Sequence, residues 1–176
     1  MKLNERLAMK FILVGLLSMT IATLGCGHDD HDHDLNNEDP AEEACAHATD
    51  TPTAVSAAAQ RADATASVSL GHTHYRVALV EDAETAGQFR GSVRYIAGAE
   101  ADYAIFLSVD APLAVFEADA TTAVEIESSA GVDACVELAR QHVVELKAGT
   151  YILELGPTSA SHVSILIESL GGAHHH

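Results

Sequence analysis

From Tyr75 onward apolar and polar side chains alternate with a period of two, the spacing that puts every second residue on one face of a strand. Tyr75, Val77 and Leu79 share one face of a first predicted strand. Phe89, Val93 and Tyr95 share one face of a second, with Gly91 between them. Tyr103, Ile105, Leu107 and Val109 mark a third, and Leu113 to Phe116 a fourth after the turn signal Asp110-Ala111-Pro112. Val124 and Ile126, alternating with Glu125 and Glu127, predict a fifth. Val143 to Leu146, Tyr151 to Leu155 and Val163 to Ile167 complete the set. About eight short strands with turn residues between them, and no long helical periodicity, predict an all-β fold built as an antiparallel β-sandwich. Between Val143 and Leu155, Gly149 is placed to turn the chain, which predicts a hairpin with Tyr151, Leu153 and Leu155 on one side.

Ahead of the strands the pattern changes twice. Residues 1–25 open with Lys2, Arg6 and Lys10, continue with an apolar run from Phe11 to Leu17 and end in small residues before Gly25. This is the layout of a secretory signal peptide, and the run is too short for a convincing membrane span. Residues 26–67 are polar, acidic and then alanine-rich, with Pro40 and Pro52 and few large apolar side chains. Such a segment buries too little surface to offset its ordering entropy, so it is expected to be a disordered His/Asp- and Ala-rich tether. Residues 54–66 have the alanine content for a short helix, with no apolar stripe to dock it. The sandwich domain is expected over 68–170, followed by a His-rich tail over 171–176.

Charge narrows the partners. The formal net charge is −17, and loss of residues 1–25 removes three cations and one anion, leaving the mature chain more acidic still. A chain of this sign repels phosphates and gathers cations, so nucleic acid is excluded as a partner and metal ions fit. Cys26 follows the apolar run and Leu24-Gly25, and this stretch resembles the lipobox of bacterial lipoproteins. Thr23 stands where the usual leucine is expected and Leu24 comes one step late. The resemblance implies that Cys26 carries a lipid anchor. Gly27 beside it implies the outer membrane of a Gram-negative host, facing the periplasm or the surface. With Cys26 assigned to lipid, Cys45 and Cys135 remain, and in an oxidising exported setting the expectation is a disulfide. Closing that loop contributes on the order of 4 kcal/mol in the chain-entropy model. The rival is a thiolate metal site built on Cys45-Ala46-His47.

Histidines carry the candidate chemistry. His28, His31 and His33 are interleaved with Asp29, Asp30, Asp32 and Asp34. Imidazole suits zinc, copper and nickel, and carboxylates either ligate or orient the second ring nitrogen. The bland alternative is an acidic spacer. His174, His175 and His176 form a second ligand cluster on composition alone. His72 and His74 stand two apart at the start of the first predicted strand, a spacing that lets both imidazoles meet one ion on its solvent face. His142 and His162 read as ordinary surface or edge histidines. No Gly-x-Ser-x-Gly, His-Glu-x-x-His, phosphate loop or Cys-x-x-Cys motif is present, and no enzyme is expected.

Leu146-Lys147-Ala148-Gly149-Thr150-Tyr151 resembles the hairpin of bacterial pre-peptidase C-terminal domains, small β-sandwiches appended to secreted proteins. The whole arrangement is similar to histidine-rich bacterial lipoproteins in which a His/Asp/Glu tract precedes such a domain and His-Val-Val-Glu-Leu leads into Gly-Thr-Tyr. These resemblances imply an exported sandwich rather than an activity. The expected function is an exported, lipid-anchored metal-binding protein that buffers or delivers a transition metal, zinc ahead of copper or nickel, with a metal transporter or envelope protein as partner. The alternative is an interaction module that binds protein or glycan, its histidines incidental.

Overall fold

The computed structural model describes residues 39–172. The expected signal peptide, Cys26, the tract His28–Asp34 and the histidines 174–176 lie outside these residues.

Among the described residues ten strands form two sheets: β1 Thr53–Ser56, β2 Tyr75–Ala78, β3 Val80–Glu81, β4 Phe89–Ala97, β5 Ala101–Leu107, β6 Leu113–Glu117, β7 Ser128–Gly131, β8 Arg140–Leu146, β9 Gly149–Thr158 and β10 His162–Gly172. One sheet has six strands in the order β1-β2-β10-β5-β8-β7, the other four in the order β3-β4-β9-β6. Every ladder is antiparallel except β1 with β2. The expected all-β sandwich is the observed fold.

Alternation builds the core. Tyr75 and Val77 of β2, Ile105 and Leu107 of β5 and Val163, Ile165 and Ile167 of β10 turn inward and meet Val93, Val115, Leu153 and Leu155 of the other sheet. A fully buried side chain of this kind contributes about 1.5–3 kcal/mol. Residues of the opposite parity face outward, and on β5 and β10 these are also apolar: Ala104, Phe106 and Leu166 are completely buried. A second, smaller cluster covers them, made by Leu138 and by the helix α1, Pro40–His47.

That helix corrects the tether expected over 26–67. From Asp39 on, the segment is part of the fold: α1 lies on the outer face of the six-stranded sheet, β1 pairs with β2, and Ala58 and Ser67 bridge to Ser92 and Arg94 of β4. Residues 54–66, whose alanine content suited a helix, hold β1 and a single 3-10 turn at Arg61–Asp63 instead. The physical reason lies in side-chain size. Ala44 and Ala48, one helical turn apart, bring α1 close to the sheet with little side chain to order. Cys45 and Cys135, 90 residues apart, are disulfide-bonded and pin α1 to the loop before β8. The thiolate rival at Cys45 is thereby removed.

Two strand expectations also change. Leu146 to Tyr151 is no hairpin: β8 belongs to the six-stranded sheet and β9 to the four-stranded one, so Lys147-Ala148 crosses between them. Tyr151 secures the corner by accepting from Lys147 N–H at 3.1 Å and donating to the Lys147 carbonyl at 3.0 Å. The fifth strand falls at Ser128–Gly131, where Val124–Ile126 was expected; Val124 makes one bridge to Val115. An edge strand with all four residues exposed needs only backbone pairing on one side, so it leaves no alternation to read.

Candidate metal centre

Helix α1 begins with a cap fitted to its sequence. The Asp39 side chain accepts from Ala41 N–H at 2.9 Å, and Pro40 occupies the first turn where no amide hydrogen is needed. Glu42 and Glu43 lie in the first turn, where their charge matches the positive end of the helix dipole, and His47 lies in the last. Glu43 and His47 are four residues apart and so share a face. His47 Nδ1–H donates to Asp50 Oδ2 at 3.0 Å, which leaves Nε2 with the free lone pair.

His72 reaches the same place from the sandwich. It lies in the turn before β2 with φ of 53°, in the left-handed region that histidine enters more readily than most residues. Its Nδ1 is 3.0 Å from Glu43 Oε1 and its ring is 5.5 Å from that of His47, centroid to centroid. Glu43, His47 and His72 each offer one ligand atom, all within 4.8 Å of one another. For an ion bound at about 2.1 Å, neighbouring ligand atoms stand roughly 3.0–3.4 Å apart. The cluster therefore needs only small rotations to close on a cation.

A fourth group stands beneath it. Glu168 of β10 is opposite Ala104 on the outward parity of the sheet, and it is 1% exposed. The β2–β10 ladder ends at Tyr75 with Ile165, and continuing its register three residues brings His72 level with Glu168. His72 Nδ1 is 2.8 Å from Glu168 Oε2. That approach lacks hydrogen-bond geometry, and neither carboxylate oxygen of Glu168 has a hydrogen-bond partner among the described residues. Burial pushes the Glu168 carboxyl above the usual carboxylate range; His72 and His47 draw it back, and Glu43 pushes it further up.

Of the residues singled out in the sequence, His72 is in this cluster, as is His47 of the thiolate alternative without its cysteine, and His74 is not a free ligand. His74 Nδ1–H donates to the Asp50 carbonyl at 3.0 Å, and Nε2 then accepts from Ser164 Oγ at 2.8 Å, so both ring nitrogens are used. The backbone carbonyl of His74 also accepts from Thr53 N–H. His74 thus anchors the loop carrying the carboxylate that orients His47. His142 is buried and pairs Nδ1 with Ser129 Oγ at 2.7 Å, which corrects its reading as a surface residue. His162 is exposed beside Ser161.

Glu43 and Glu168 escaped the sequence reading. Glu43 to His47 is a ligand spacing on a helix, but it was hidden while the segment read as a tether. Glu168 follows the apolar run Val163–Ile167 and looks like the solvated end of a strand. No family model matches the chain, and no curated protein matches it.

Proposed function

We propose that this is an exported, lipid-anchored protein that binds a transition metal, zinc ahead of copper and nickel, and buffers it or hands it to an envelope partner. The observation that carries this reading is the convergence of Glu43, His47 and His72, with His47 oriented by Asp50 in the manner of a carboxylate–histidine–metal relay. A mixed nitrogen and oxygen set suits zinc, and the disulfide leaves no thiolate at this place to favour copper(I). The tracts at His28–Asp34 and His174–His176 support the same reading by composition, as capture sites of low selectivity. The signal-like residues 1–25 and the lipobox-like setting of Cys26 support export and anchoring.

Calorimetric titration of zinc, copper(II) and nickel into the mature chain carrying Cys26→Ser tests it. The expected result is stoichiometric binding that weakens below about pH 6, where protons compete for imidazole, and that drops in the double variant His47→Ala, His72→Ala. Affinity no tighter than about 100 micromolar for all three ions sinks the reading.

A further inference from the structure

We propose that Glu168 completes this centre as a fourth ligand, so that α1 and the sandwich together enclose one divalent cation in a shell of two imidazoles and two carboxylates. The proposal rests on the metal-binding reading and adds the ligand that decides what the site can do.

Three observations carry it. Glu168 is buried at 1% exposure, and both its oxygens lack hydrogen-bond partners among the described residues. A carboxylate taken out of water without partners is costly, and buried charges in folded proteins are paired or bind metal. His72 Nδ1 is approached by Glu168 Oε2 at 2.8 Å and by Glu43 Oε1 at 3.0 Å. One ring nitrogen carries at most one hydrogen and cannot direct it at two carboxylates, whereas a cation between them satisfies all three atoms together. Two carboxylates and two neutral imidazoles also sum to the charge that one divalent cation neutralises.

The fourth ligand sets the chemistry. Three protein ligands leave a tetrahedral zinc ion open to water, the arrangement of hydrolytic sites; four close it. A closed shell holds and releases an ion rather than activating water on it. Its ligands divide evenly between α1, with Glu43 and His47, and the sandwich, with His72 and Glu168, so the bound ion also clamps the helix to the sheet.

The test uses the full mature chain with Cys26→Ser and with His28, His31, His33 and His174–His176 changed to Asn, so that zinc reports this centre. Zinc binding to it is compared with that of its Glu168→Gln variant, and each is melted with and without zinc. If Glu168 is a ligand, Glu168→Gln weakens zinc by more than about tenfold. It also leaves the metal-free melting temperature unchanged or higher, because a buried carboxylate with only the His72 approach to offset its desolvation has gone. Unchanged zinc affinity overturns the proposal while the metal-binding reading stands, and a lower metal-free melting temperature with unchanged affinity identifies Glu168 as a structural partner of His72. If the tract-free chain binds no zinc and the tract-bearing chain does, this centre falls and the tails carry the function; if neither binds, both readings fall. Should Glu168→Gln not fold, a crystal of the zinc-loaded parent decides: a Glu168 oxygen within about 2.2 Å of the ion supports the ligand, and a water in its place overturns it.

Discussion

His74 donates to the carbonyl of Asp50, and the carboxylate of Asp50 accepts from His47, so a residue with no free nitrogen helps to aim one that has. Asp50→Ala and His74→Ala are each expected to weaken zinc by about 10–100-fold, the scale seen when a supporting partner of a metal ligand is lost. Calorimetry on the folded variants checks this; an unchanged affinity removes Asp50 from the centre. The pair His72 and His74 was visible in the sequence as two imidazoles at strand spacing, but not their division of labour. His72 takes a left-handed turn and the strand starts only at Tyr75, and the preceding Gly71 is the residue that would ordinarily mark such a turn. His142 shows another limit. It lies on the parity of Val144 and Leu146 and is buried with them, yet a histidine beside an apolar run reads equally well as its exposed end. Burial holds its pKa below 6.5, Arg140 acting in the same direction and Asp110 against. The unfolded chain therefore takes up this proton at a higher pH than the fold does. The stability conferred by neutral His142 is complete above about pH 6.5 and declines as the pH falls below it. Urea midpoints at about pH 7.5 and 5.5 should converge in His142→Gln relative to the parent; an equal acid loss in both assigns the effect elsewhere.

An eight-residue helix has too few turns to persist in water without tertiary contacts. Two alanines and one disulfide hold α1 in place, and it supplies Glu43 and His47. Replacing both Cys45 and Cys135 by Ser is expected to cost about 2–4 kcal/mol of stability, read from denaturant midpoints. Zinc affinity should fall with it, because the ion must then order the helix as it binds. A fall in stability with unchanged affinity means that the helix is seated without the link. Strand faces were readable because alternation in sequence is alternation in space: seven of the expected stretches lie on β2, β4, β5, β6, β8, β9 and β10. Strand partners were not. The inward parity of Val144, Leu146, Tyr151 and Leu153 is the same whether the chain turns back in one sheet or crosses to the other, so the corner at Lys147 was indistinguishable from a hairpin. The docking of α1 was hidden for a related reason, since alanine contacts make no apolar stripe.

At the scale of the whole molecule, a strongly acidic chain draws cations toward itself, and Glu43 with His47 and His72 offers them one place on the sandwich face that carries α1. Among the described residues no helix is long and apolar enough to cross a membrane. If Cys26 carries the lipid, Cys26→Ser should move the protein from the membrane fraction of the producing cell to its soluble periplasmic or external fraction; retention in the membrane points to another anchor. Cys45–Cys135 also makes a bypass for force. Tension applied to the backbone ahead of Asp39 enters α1 and, six residues later, passes through the sulfur bridge into the loop that feeds β8, which lies between β5 and the edge strand β7 of the six-stranded sheet. The stretch between the two cysteines, with β1, His72 and β2, is thereby shielded from the load. Drag on a domain tethered from its N-terminal side would then pull on the interior of the sheet in place of unzipping its edge strand β1, and residues 46–134 would stay slack until the bridge is reduced.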